Sequence, residues 1–154
     1  MYSFALGRDD AATITPVYGA APYSLTAGAG TDNVAQTGAV IDLRNDFGTT
    51  RFGSGTAIVT ASATLAADKT LTVTGLWEHS ADGVTYFPAG GDVTVLTLVG
   101  PTGGATRAAG KVGINLYAAE RYIRFVFTPD LSATSTDTAV VQVAYVLTSP
   151  TVVG

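Results

Sequence analysis

The chain reads as an all-β protein: an antiparallel β-sandwich, best matched by an eight-stranded jelly roll, preceded by an extended N-terminal arm. Three observations predict this. Short runs with a two-residue apolar period recur at roughly even spacing, turn residues separate them, and no 3.6-residue apolar period is sustained anywhere. The 154 residues suffice for one domain with a substantial core.

Residues 1–38 are rich in Ala, Gly, Thr and Pro, and "GAAPYSLTAGAGTDN" is punctuated by Pro22, Gly28 and Gly30. No period holds there, so this part reads as an extended arm or long loop. Its spaced aromatics, Tyr2, Phe4, Tyr18 and Tyr23, are candidate anchors on a neighbouring surface. An arm that wraps its own domain is the competing reading.

The sandwich domain is assigned to residues 39–154. "AVIDLR" (39–44) alternates, and "TAIVTASATL" (56–65) is β-branched and small. In "KTLTVTGLWEH" (69–79), Leu71, Val73 and Gly75 share one face, and Thr70, Thr72 and Thr74 the other. "VTYF" (84–87) and "DVTVLTLVG" (92–100) follow. "KVGINLY" (111–117) and "RYIRFVFTP" (121–129) come next, the latter expected to stop at Pro129. "DTAVVQVAYVLT" (137–148) is the longest and most apolar run. Single helical turns have room only in "SATLAADKT" and "YAAER". No repeat of a propeller or solenoid is present.

Hydrophobic residues make up 47% of the chain and charged ones 13%, with a mean hydropathy of +0.33. The charged share is about half the usual value, yet no run approaches the ~18 apolar residues of a membrane span. Such a composition points to a surface partly covered by self-association or a protein partner. "MYSFALGRDD" lacks the basic start and apolar stretch of a secretory signal. The net charge of -4 argues against nucleic acid, which is gripped by clustered Lys and Arg; only Arg121 and Arg124 lie close together. The absence of cysteine removes disulfides and thiolate chemistry, and fits assembly in a reducing cytoplasm.

The stretch "GLWEHSADGVTYFPAGG" (75–91) holds the one Trp, Trp77, and the one His, His79. "SADGVTY" approaches the Asp-box of sialidases but is one residue short and occurs once. A β-hairpin turned at Asp82-Gly83, with Gly83 at positive φ, accounts for it directly. Trp77 and His79 then share one face of a strand, and Glu78 points the other way.

One histidine and no cysteine disfavour a zinc site, and no Gly-x-Ser-x-Gly elbow supplies a nucleophile. "GPTGGATRAAGKV" (100–112) fails the phosphate-loop spacing and reads as a long exposed connection. The pairs Asp9-Asp10, Asp42 with Asp46, and Asp130 with Asp137 are not singled out by any spacing, so loop positions are expected for them. Calcium between Asp130 and Asp137 would lack the EF-hand pattern. No catalytic residue, metal or cofactor is assigned, and the chain is not expected to be an enzyme.

The segments "ATLAADKTLTVTGLWEHSADGVTYF" and "AAERYIRFVFTPDLSATSTDTAVVQVAYVL" resemble the head decoration (cement) proteins of tailed bacteriophages. The resemblance covers roughly residues 31–148. It is one of strand and turn style, and it carries over no functional residue. It implies a jelly-roll protein of the virion, often a homotrimer, that binds the major capsid protein on the capsid exterior and stabilises the shell; no nucleic-acid or membrane partner is expected. The protein-contact candidates are Tyr2, Phe4, Tyr18, Tyr23 and Trp77. A second reading is a carbohydrate- or receptor-binding module of a phage tail or fibre, with Trp77 or Tyr86 exposed to stack on a sugar.

Overall fold

The structure, a computed structural model, describes residues 13–101 and 105–152. Its ten strands are β1 (Ile14–Thr26), β2 (Gln36–Thr37), β3 (Ile41–Asp42), β4 (Thr50–Thr64), β5 (Thr70–Ser80), β6 (Phe87–Pro88), β7 (Val93–Val99), β8 (Ala105–Asn115), β9 (Tyr122–Leu131) and β10 (Thr138–Val152). One sheet runs β1-β10-β4-β8. The other is built on β9 and β5, with β2 and β3 both pairing β9, and β6 and β7 both pairing β5. Every pairing is antiparallel.

Treating β2/β3 and β6/β7 as interrupted single strands reduces ten elements to eight. Their orders are then 1-8-3-6 and 2-7-4-5, derived from the pairings. That is the strand order of a jelly roll, in which successive strands alternate between two facing sheets except for the fourth and fifth, which pair within one. The core lies between the sheets. Val59, Ala61, Val141, Val143, Tyr145 and Leu147 face Leu71, Val73, Trp77, Ile123, Phe125 and Phe127 across it. Each of these strands buries every second residue, as half-buried strands do.

Residues 14–26, expected in the arm, instead form edge strand β1, which pairs with β10 along its whole length. The sandwich therefore begins well before residue 39. Its alternation is hidden because the register slips between Tyr18 and Ala20 and again between Ala20 and Tyr23. Pro16 and Pro22 are tolerated there because an edge strand has one unpaired side.

Three more expectations change. Pro129 does not stop its strand: it lies buried inside β9, opposite Val73, and β9 runs to Leu131. The glycine-rich connection is shorter than expected, because residues 105–115 are strand β8, paired with β4. Both sites considered for a helical turn, at 62–70 and 117–121, carry strand ends, turns and bends.

Candidate interaction surface

Trp77, expected as a contact, is a core residue at 3% exposure. Its ring packs against Phe125 and Tyr145 with centroids 5.4 and 5.0 Å away. Its phase on β5 is inward, as for Leu71 and Val73, so burial of the large ring decides the question. It is therefore corrected from contact residue to core. His79, two residues on, is half-buried. Its Nδ1 accepts the Glu120 N–H at 3.3 Å and lies 3.7 Å from the Glu120 carboxylate.

The stretch after it folds as a polar-pinned loop rather than a two-residue turn. The buried Ser80 Oγ accepts the Gly83 N–H at 2.9 Å and donates to Asp82 Oδ1 at 2.8 Å. Asp82 Oδ1 also accepts the N–H groups of Val84 and Thr85, each at 2.8 Å. Those bonds favour the carboxylate, Thr85 and Val84 first and then Ser80, and lower the Asp82 pKa to about 2. Gly83 takes a φ of 75°, with the Tyr122 ring close to where a Cβ would stand. The chain then returns as β6, pairing Phe87 with His79. The hairpin exists, with a six-residue connection between Ser80 and Phe87.

Outside β5 and β9 lies a charged cluster. Arg124 donates to Glu78, its cross-strand partner, at 2.7 Å, and covers the Tyr86 ring at 3.7 Å. Tyr86 is thus half-buried beneath a guanidinium, and burial raises its pKa. Arg121 forms a two-pronged pair with Asp42. That bond holds the Asp42 carboxyl well below the usual carboxylate range.

Of the acidic pairs, Asp9-Asp10 lies outside the described residues, Asp42 and Asp46 are brought together, and Asp137 bonds backbone on its own. Asp46 accepts the Asp42 N–H, and buried Asp137 accepts the Ala66 N–H at 3.0 Å. Asp32 pins Gly28 and Leu131 through their N–H groups. No group of three or more His, Cys, Asp or Glu side chains suited to a metal occurs among the described residues.

The opposite face is different in kind. On the outside of β1-β10-β4-β8, Tyr18 pairs Ala144, Ala144 pairs Ile58, and Ile58 pairs Lys111, so one row crosses all four strands. A parallel row runs Ser24, Val140, Ser62, Arg107. The outward positions of β1, of β10 from Thr138 to Thr148, and of β4 from Ser54 to Thr64 carry no charge. Arg107 and Lys111 stand only on edge strand β8. Tyr18 is 65% exposed, Ile58 37% and Val140 38%. A face without charge, hydroxyl-rich and carrying the exposed Tyr18, Ile58 and Val140, is a candidate contact surface.

Of the sequence-derived contacts, Tyr18 lies on this face. Tyr23 does not: it packs partly against the core, and its hydroxyl donates to the Thr31 carbonyl at 2.8 Å. Tyr2 and Phe4 lie outside the described residues. Ile58, Val140 and Ala144 were missed. Their signal is an apolar residue at the outward phase of an alternating strand, as in "TAIVT" and "AVVQVAYV".

No protein-family model matches the chain, and no curated protein matches it in sequence. Among solved structures it is similar to infectious bursal disease virus Gt strain, at TM-score 0.49 and 12% identity, over 88% of this chain and 32% of that one. It is similar also to the VP2 subviral particle of infectious bursal disease virus, at TM-score 0.45 and 12% identity, over 88% and 32%. The C-terminal CBM6 of LamC, a marine laminarinase from Zobellia galactanivorans, aligns at TM-score 0.32 and 9% identity, over 87% of this chain and 98% of that one. The chain spans about a third of the length of the two viral chains. The fold assignment rests on the strand order, not on these likenesses.

Proposed function

We propose that this chain is a non-enzymatic structural protein of the virion that binds the outside of a tailed-phage capsid and stabilises the shell. The observation that carries the reading is the outer face of β1, β10 and β4, uncharged up to Arg107 and Lys111 on edge strand β8, with Tyr18, Ala144 and Ile58 in one row. Burying apolar area stabilises docking by about 25 cal/mol per Å² before association entropy is subtracted. The hydroxyl-and-aliphatic surface of β1, β10 and β4 needs no desolvation of charge to dock. The partner in this reading is the major capsid protein, and self-association is as a homotrimer. The sequence resemblance to decoration proteins supports the same assignment.

The rival reading as a sugar-binding module loses its two aromatics. Trp77 is buried, and Tyr86 lies under Arg124.

The test is sedimentation of the protein with assembled capsids, comparing the wild type with Ile58→Lys and Ala144→Glu. Both substitutions are outward and leave the core untouched. Loss of co-sedimentation with an unchanged unfolding midpoint supports the face, and full binding by both variants rejects it. Native mass spectrometry at micromolar concentration tests the trimer, and a purely monomeric spectrum rejects it. An arm test must be confined to deletion of residues 1–12. Removing residues 1–25 would take most of β1 out of its sheet and confuse docking with folding.

A further inference from the structure

An open cleft of about 490 Å³ lies where the first residues of β4 and the last of β10 meet the 116–121 connection and the residues after β3. We infer that this cleft is a second binding site, for an acidic peptide segment of a partner protein that carries an apolar side chain beside its carboxylates. The inference goes beyond the sheet-face reading and does not depend on it.

The floor of the cleft is apolar: Leu43, Phe52 and Leu116. Phe52 and Leu116 belong to the core, so the floor is rigid. One wall is Tyr117, 81% exposed, its ring lying against Gly53 where a Cβ would collide with it. An aromatic held flat on a glycine yet open to water offers a contact surface at low entropic cost.

The rim is cationic. Three of the eight basic residues, Arg44, Arg51 and Arg121, line this one cleft of a chain whose net charge is -4, against one acid, Glu120, among the described residues. Arg121 is committed to Asp42. The Arg44 side chain makes no hydrogen bond or ion pair among the described residues. Arg51 uses only Nη1, on the carbonyls of Gly48 and Thr50 at 2.7 and 3.0 Å, which leaves its other donors open. Two open guanidinium groups beside an apolar floor match a carboxylate next to an aliphatic or aromatic side chain. The apolar floor of Leu43, Phe52 and Leu116 favours a peptide side chain over a sugar ring, whose hydroxyls would find no partners there.

The experiment is a backbone-amide NMR titration of the intact protein with the capped pentapeptide Ala-Phe-Asp-Asp-Ala, with Ala-Phe-Asn-Asn-Ala as control. The expected result is a shift of the Arg51–Gly53 and Leu116–Tyr117 amides by the acidic peptide alone, weakening as salt is raised. Arg44→Gln and Tyr117→Ala should each weaken binding by about tenfold. Neither side chain makes a bond that the fold depends on, so unfolding does not obscure the readout. Absence of binding, equal binding of the Asn peptide, or unchanged affinity in both variants overturns the site. Shifts of the same amides by glucuronate, with none from the acidic peptide, overturn it in favour of an acidic sugar. Capsid sedimentation of Ile58→Lys and Ala144→Glu reads the sheet face separately, so the two proposals fail independently.

Discussion

The indole N–H of Trp77 on β5 donates to the carbonyl of Val112 on β8 at 2.9 Å, so the one tryptophan joins the two sheets by a polar bond as well as by its ring. Tyr145 on β10 does the same in the opposite sense, its hydroxyl accepting the Phe125 N–H of β9 at 3.2 Å. Buried polar groups that find partners across a sandwich fix how the sheets sit, because an unpaired one is costly.

Trp77→Ala should destabilise the fold by about 3–5 kcal/mol through the cavity left between Phe125 and Tyr145. Trp77→Phe keeps part of the ring but orphans the Val112 carbonyl, and should cost about 1–3 kcal/mol. Denaturant unfolding measures both. Because the chain has one tryptophan, its emission also reports burial directly: a water-like maximum in the native state would contradict the packing.

Gly38 has no room for a side chain. A Cβ there would overlap the Tyr145 hydroxyl and crowd the carbonyls of Gly19 and Phe125. Gly38→Ala should therefore cost about 1–3 kcal/mol. Tyr145→Phe removes the obstructing oxygen, so the double variant should be less destabilised than the sum of the singles. Strict additivity in the double-mutant cycle would show that the overlap is relieved elsewhere.

Acid should loosen the 80–86 loop before the core. The Asp82 pKa is about 2 in the fold against 3.8 for the free group, so the unfolded chain takes up the proton first. Its stabilisation is whole above pH 3.8 and disappears as pH falls toward 2. Asp42, lowered chiefly by Arg121, acts with the same sign. Unfolding midpoints of the wild type and Asp82→Asn should converge as pH drops through that window. Parallel curves would remove Asp82 from the account.

Arg124→Ala removes both an ion pair with Glu78 and the cover over Tyr86. The pair is partly exposed, so the loss should be modest, about 1 kcal/mol in all. Arg124→Lys should recover little, since an ammonium cannot lie flat on the ring while reaching Glu78. Thermal unfolding of the three proteins decides this.

How far the site was legible follows from where its signal is local. Glu78 and Trp77 on opposite faces of β5, and the positive φ of Gly83, follow from pleat and turn chemistry over a few residues. The row Tyr18, Ala144, Ile58 spans residues far apart in the chain, and only strand pairing brings them together.

The sequence by itself determined the all-β class, the alternating faces of β5, the absence of cysteine chemistry and the low charge. All of these are set by residue type and two-residue periodicity. Only the tertiary structure decided that β1 belongs to the sheet, that Pro129 lies within a strand, that Trp77 faces inward, and that Arg44, Arg51 and Tyr117 meet at one cleft. A pleat alternates in any isolated strand, but which face is buried, and which distant residues become neighbours, depends on what the other sheet covers.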